Sequence, residues 1–270
     1  MRKSPAPLQC RCATAAAPEA DAAVALVADD DGRPRPVTRP SAPWRETLDE
    51  FLSQRGAFKG GAGETVVWPV RQNGKPSWLA VAGLGAWASL EARHIEHGTA
   101  AAFKALAPRR PAQVALFHDL EAPSASAIPL DMVVRRMVRG AAAGLYRFDR
   151  YRSDAEPASA PEVLLAGKAD TAARRAAREG ALEGAVLNEI ADLANRPGNA
   201  ATPEAIADEC RRLARAAGLG CRIYDGAALR RERCGALLAV AAGSRCEPRL
   251  VVLRYAGAGA ERRRRPFVLL

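Results

Sequence analysis

Lysine is missing from the last 102 residues of this 270-residue chain, Lys168 being the final one, which excludes every lysine-dependent role from that stretch. Aromatic residues make up only 5% of the sequence, so a core must be built mainly from alanine, valine and leucine. The six cysteines (Cys10, Cys12, Cys210, Cys221, Cys234, Cys246) form no Cys-x-x-Cys pair. The spacings among the last four match no zinc-ligand pattern. A chain of this size needs no disulfide staples, and reduced thiols in a cytoplasmic protein are the expected state. No run of 18 apolar residues exists, so no membrane span is expected. The basic start at Arg2 and Lys3 has no apolar stretch of signal-peptide type behind it. Internal repeats are absent, and so is any Gly-x-Ser-x-Gly turn.

What is present describes a globular α/β protein. Apolar residues are 49% and charged residues 26% of the chain, enough for a packed core in one large or two modest domains. The formal charge is +10, and residues 201–270, with 14 Arg, no Lys and 7 acids, carry +7 of it. A basic block attracts nucleic acid or anionic surfaces, but a compositional preference for arginine explains it as well.

Along the chain, the apolar run at 22–28 reads as a buried strand and 29–40 as a loop. Residues 47–54 suit a short helix. Two β-prone runs, 64–70 and 77–81, flank Asn73-Gly74, a hairpin turn signal, and Gly83-Leu84-Gly85 is read as ending the second. A helix over 90–106, a strand over 113–117, an amphipathic helix over 131–145 and a strand over 162–166 follow. Val133, Met137, Ala141 and Leu145 form the apolar stripe of that amphipathic helix, with Arg135, Arg136 and Arg139 turned away. A long helix over 171–193 carries an apolar stripe of Leu182, Val186, Ile190 and Leu193. Arg174, Arg175 and Arg178 oppose the dipole at its start, so that end is expected to be exposed and weakly held. Thr202-Pro203-Glu204 is a helix start with cap, first-turn proline and first-turn acid, and Gly218 is the matching stop. A strand at 221–224, a short helix at 227–233, an apolar run at 236–241, a strand at 250–255 and the start of another at 267–270 complete the pattern. The expected organisation is an N-terminal α/β domain over 1–167 with residues 1–20 disordered, a connecting helix over 168–194, and the start of a second α/β domain over 195–270. Phe267–Leu270 is expected to leave an unpaired strand edge through which the chain aggregates.

Each candidate for chemistry competes with a plainer role. His94 and His97 share a helix face as a metal-binding pair does, but no third ligand has suitable spacing, and an ordinary exposed face is the better reading. His118-Asp119 follows a strand, where catalytic groups often emerge, yet nothing accompanies the pair. Gly83-Leu84-Gly85 invites a phosphate-loop reading, but no acid caps a later strand, and a tight turn is favoured. The Arg262–Arg265 run has no interleaved aromatics, so a solvated loop is the default. Asn195-Arg196-Pro197-Gly198-Asn199 reads as a helix stop, a turn and an approach to the next helix.

Four segments resemble the cytosol (leucyl) aminopeptidases, a family of dinuclear-metal peptidases. Leu145–Tyr151 is similar to the family's Tyr-x-Phe-Asp-x-Tyr segment, and Asn195–Pro203 to its Asn-x-Pro-x-Asn-x-x-Thr-Pro corner. Gly235–Ser244 is similar to its Gly-x-x-x-x-Val-x-x-Gly-Ser run, and Pro248–Tyr255 to the strand after it. The resemblance implies a macrodomain-like N-terminal domain, a linking helix and an incomplete peptidase domain. For the complete family enzyme it implies a hexamer that removes N-terminal amino acids from peptides using two divalent metals, zinc or manganese. The metal ligands and the catalytic lysine and arginine have no matching position in residues 1–270, so no catalytic, cofactor-binding or metal residue is assigned and no activity is expected of this chain alone. The alternatives are a non-enzymatic protein that binds DNA or joins hexamers, and a macrodomain-like ligand binder near Gly83.

Overall fold

The computed structural model of the protein describes residues 7–13, 20–54, 56–72, 74–121, 128–154, 160–167, 171–257 and 267–269. The chain divides into two compact units, 1–191 and 192–270.

The first unit is a mixed sheet between helices. Its strands are β1 (Cys10–Ala13), β2 (Ala22–Asp30), β3 (Arg33–Pro36), β4 (Thr65–Gln72), β5 (Lys75–Ala86), β6 (Gln113–Phe117) and β7 (Glu162–Ala166). The order is β1-β7-β6-β2-β5-β4, with β3 paired to the end of β2. β1, β7, β6, β2 and β5 run parallel, and β4 and β3 pair antiparallel. Helices α2 (Ala92–Leu106), α3 (Leu130–Gly144) and α4 (Thr171–Ala194) cover one face, and α1 (Trp44–Gln54) covers the other. In β2, Ala22, Val24, Leu26 and Ala28 point to the three-helix side, while Ala23, Ala25 and Val27 meet Trp44, Leu48 and Phe51 of α1. A strand buried on both faces has to be apolar throughout, which is why 22–28 has no alternation. The few aromatics are concentrated under α1, where Phe51 meets Phe58 and Trp68 edge to face at 5.4 and 5.6 Å.

On the other face the helices touch backbone to backbone. A Cβ at Gly140 would strike the Glu96 carbonyl oxygen of α2, and one at Gly144 the Ala100 carbonyl oxygen. A Cβ at Gly180 of α4 would come within 2.5 Å of the Arg135 carbonyl oxygen, and one at Gly184 within 2.5 Å of Ala142 Cβ. Two glycine pairs at four-residue spacing thus bring α2, α3 and α4 closer than side chains would allow. Glu96 of α2 is held at this contact by Arg139 (Nε to Oε1, 2.7 Å) and Arg136 (Nη1 to Oε2, 2.8 Å) of α3. Arg135 and Arg139 also pair with Glu183 of α4. The arginines expected to turn away from the core thus tie one helix to the next.

The α/β class is as expected, and several details differ. Residues 1–20 are not without order, since Cys10–Ala13 pairs parallel with β7, Val163 N–H donates to the Gln9 carbonyl at 2.9 Å, and Arg11 pairs with Glu162 at 3.0 Å. The alternation of Leu8, Cys10 and Cys12 with Gln9 and Arg11 was the available signal. Part of 29–40 is strand β3, recruited by the hairpin at Asp31-Gly32, both with positive φ. β5 does not stop at Gly83 but runs to Ala86. The start of α4 is firmly packed, with Ala173, Ala176 and Ala177 buried, because small side chains let it approach α3. The stripe on larger residues is the exposed one, with Leu182, Val186 and Ile190 at 61%, 46% and 56%.

The second unit contains α5 (Pro203–Ala217), β8 (Gly220–Tyr224), α6 (Gly226–Arg231), α7 (Gly235–Ala241) and β9 (Leu250–Arg254). Thr202 caps α5 through Oγ1, which accepts from Ala205 N at 3.2 Å, and Gly218 ends it at φ 67°. β8 and β9 form an antiparallel pair, Gly220 facing Arg254 and Tyr224 facing Leu250. Residues 236–241 are helical, and Phe267–Leu269 form no strand, since no described strand pairs with them.

Two outcomes follow from the helix layer. Gly140→Ala is expected to lose about 1–3 kcal/mol by overpacking, despite about 1 kcal/mol of gained helix propensity. Gly198→Ala, with nothing within 4 Å of its Cβ, is the control expected to change little. Urea midpoints measure both, and an unchanged Gly140→Ala midpoint contradicts the close contact. The second outcome concerns pH. Burial alone raises the Glu96 carboxyl, but the hydrogen bonds and charges of Arg139 and Arg136 together outweigh it and hold it below the ordinary glutamate value. A depressed carboxyl contributes stability above its unfolded pKa of about 4.3 and loses it as pH falls through the folded value. Glu96→Gln is therefore expected to be less stable than the parent at pH 7, with the gap closing below about pH 4. A gap constant with pH contradicts the charge assignment.

Candidate functional site

The strand order reverses direction at β2, where β5 lies on one side, β6 on the other, and α2 carries the chain across between them. In open parallel sheets ligands bind beyond the carboxyl ends of the strands at such a point. Here the chain fills that place itself. Gly83 N–H donates to the Glu64 carbonyl at 2.8 Å and Gly85 N–H to the Gly60 carbonyl at 2.9 Å. A Cβ at Gly83 would collide with the Gly61 carbonyl oxygen, and one at Gly60 would lie 2.7 Å from Ala28 C. The glycines of the supposed phosphate loop therefore admit a neighbouring backbone, and their amides are already engaged.

The neighbouring segment is the run Lys59-Gly60-Gly61-Ala62-Gly63-Glu64. Its amides converge on one carboxylate oxygen: Lys59, Gly60 and Gly61 N–H donate to Glu64 Oε2 at 3.1, 2.8 and 2.9 Å. Successive amides pointing into one concavity form an anion nest, and here the anion is a side chain of the same loop. Sequence reasoning passed over this loop, whose signal was three glycines followed by an acid.

Beyond β6 the chain is equally closed. Thr38 Oγ1 accepts from Leu26 N at 2.9 Å, Thr38 bridges Leu120, and Arg39 N–H donates to the Asp119 carbonyl at 2.9 Å. Arg35 and Arg39 both reach Glu121, whose carboxyl lies below its ordinary value because Arg39 hydrogen-bonds it. His118 is fully buried, its Nδ1 lies 3.8 Å from Asp119 Oδ1, and a Cβ on Gly167 would sit 2.6 Å from its Cε1. A histidine sealed in this way packs the strand ends and cannot meet a substrate.

The other candidates resolve into local structure. His94 is the N3 member of a capping box: its Nδ1 accepts from Glu91 N at 3.0 Å, and the Glu91 side chain accepts from His94 N. His97 is exposed nearby and does not join it at a metal. The Asn195–Pro203 corner is a turn in which Ala200 and Ala201 N–H donate to the Pro197 carbonyl at 2.8 and 2.9 Å. None of its residues adopts positive φ. Arg196 folds back to Glu209 of α5 at 3.6 Å. All six cysteines are free thiols. Arg262–Arg265 lies outside the described residues. Among the described residues no three His, Cys, Asp or Glu side chains are grouped to hold a metal.

The family description "Cytosol aminopeptidase family, N-terminal domain" matches residues 48–155, and "Cytosol aminopeptidase family, catalytic domain" matches residues 188–270. A probable cytosol aminopeptidase of Syntrophotalea carbinolica is 35% identical over 74% of this chain and 41% of its own length. The cytosol aminopeptidase of Pseudomonas aeruginosa PAO1 is 34% identical over 80% of this chain and 44% of its own length. The chain thus spans under half the length of these relatives. Among solved structures, the bottromycin maturation enzyme BotP in complex with Mn is similar at TM-score 0.64 and 31% identity, over 87% of this chain and 45% of that one. A tomato leucine aminopeptidase variant shares the fold at TM-score 0.67 and 19% identity, over 93% of this chain and 52% of that one.

Glu64→Ala strands the three amides of the 59–61 nest, and a loss of about 1–3 kcal/mol is expected in thermal or urea unfolding. Glu64→Gln keeps an acceptor oxygen and is expected to lose less. Equal losses in the two variants would mean that the nest does not anchor the loop.

Proposed function

The chain belongs to the cytosol aminopeptidase family, and from that premise we propose that it contributes the N-terminal domain, the connecting helix and the opening of the catalytic domain to a metal-dependent enzyme that removes N-terminal amino acids from peptides. The observation that supports this reading is the two family matches, N-terminal then catalytic, in their order on one chain. The proposed division is 1–167, 168–194 and 195–270. A cytoplasmic location and a homo-oligomer belong to the same proposal: the relatives are named cytosol aminopeptidases, and no described helix is long and apolar enough to cross a membrane. The large apolar side chains left exposed on the second unit, Val240 at 87% and Tyr255 at 79%, are surface that further protein would cover.

The family is metal-dependent, and the described residues do not fit a two-metal centre, since no three of their His, Cys, Asp and Glu side chains group together. Zinc or manganese would be held by residues other than these, and no catalytic step is derived from this chain. Its own contribution is a folded platform with its strand ends closed.

Residues 1–270 alone are expected to release no p-nitroaniline from leucine p-nitroanilide with millimolar zinc or manganese. Continued with the catalytic remainder of the Syntrophotalea relative, the chain is expected to gain activity that a chelator removes. Turnover by residues 1–270 alone overturns the proposal. So does a folded, metal-loaded chimera that stays silent beside an active relative.

A further inference from the structure

A cleft of about 530 Å³ opens between β1 and the first half of α4, within the first unit. Its apolar lining is Pro7, Leu8, Ala177, Ala181 and Leu182, and Arg11, paired with Glu162 at 3.0 Å, also borders it. Cys10 and Cys12, two residues apart on one strand, face it together. Arg174 and Arg178, one helical turn apart, stand at its rim. No acidic side chain is among its described lining.

The arginines are the informative part. Arg175, beside them, pairs with Glu179 at 3.8 Å, and the arginines of α3 pair with Glu96 and Glu183. Among the described residues, neither Arg174 nor Arg178 has a carboxylate partner. The first turn of α4 carries no acid, so Arg174 meets the positive end of the helix dipole without compensation there. Two such cations beside a concave, partly apolar surface make a site that lacks an anion. The volume lies in the range of small-molecule pockets, about 300–1,000 Å³. Burial, with the nearby Cys12 adding to it, pushes the Cys10 thiol up to about 12, so at neutral pH it faces the cleft uncharged and does not repel an anion.

We propose that this cleft binds a small organic anion, a phosphate monoester or a carboxylate with an apolar body, whose charged group is held by Arg174 and Arg178 while its apolar part lies on Leu8, Ala177 and Leu182. The proposal does not depend on the aminopeptidase reading.

Calorimetric titration of the 270-residue chain with phenyl phosphate, phenylacetate and inorganic phosphate tests it. Phenyl phosphate or phenylacetate is expected to bind at one site per chain, the tighter of the two identifying the head group. Inorganic phosphate is expected to bind more weakly than phenyl phosphate. The double variant Arg174→Gln/Arg178→Gln, which changes only exposed side chains, is expected to weaken binding roughly tenfold or more, the loss of charge-assisted contacts to the anion. Alkylation by iodoacetamide, read by mass spectrometry, locates the site: the bound probe is expected to slow modification of Cys12 and leave exposed Cys246 unchanged. Absence of binding by both phenyl probes overturns the proposal, as does equal affinity in the folded double variant. Phenyl phosphate binding no better than inorganic phosphate overturns the apolar subsite.

Discussion

The first unit depends on backbone contact between helices. Gly140 and Gly144 bring α3 against α2, and Gly180 and Gly184 bring α4 against α3, each at a distance that a single methyl group would forbid. A core with few aromatics and much alanine cannot reach interior packing density across wide interhelical gaps, so the helices must close in. The ion pairs follow from that approach. Arg135, Arg136 and Arg139 are long enough to span from α3 to Glu96 on one side and Glu183 on the other only because the axes are near. The same geometry turns Ala173, Ala176 and Ala177 inward and leaves Leu182, Val186 and Ile190 outside.

The opposite constraint governs the strand ends. An α/β sheet with a reversal at β2 offers a crevice, and this chain closes it with three of its own segments: the 59–64 loop, the strand pairing around Thr38, and the buried His118. A carboxylate held by three amides takes the place an incoming anion would need. The unit's ligand-binding potential is thereby displaced from the strand ends to its edge, where β1 and α4 leave a basic cleft. The family descriptions likewise give the name of catalytic domain to the second match and not to the first.

The family membership was legible because it rests on four short, ordered stretches: Leu145–Tyr151, the corner at Asn195–Pro203, the run at Gly235–Ser244 and Pro248–Tyr255. Most elements were legible too. The hairpin around Gly74 has the predicted pairing, Gln72 against Lys75, since a two-residue turn leaves one register. The cap at Thr202 and the stop at Gly218 work as read, because both act through local backbone groups. What escaped depended on distant partners. β1 is a strand because β7 lies beside it, and the alternation from Leu8 to Cys12 is too short to say so alone. Gly83-Leu84-Gly85 looked like a turn because glycine so often marks one, yet Gly83 is there to admit Gly60 and Gly61, and Gly85 to take up φ 88°.

The sequence by itself determined the class of fold, most of its elements in order, and the family, since all of these reside in local pattern and residue identity. Tertiary structure decided which face of α4 is buried, that His94 caps a helix and His118 is sealed, and that Glu64 fills the nest before it. It also placed Cys10 and Cys12 opposite Arg174 and Arg178. Those outcomes depend on groups far apart in the chain, and only the packing of β1, β7 and α4 brings them together.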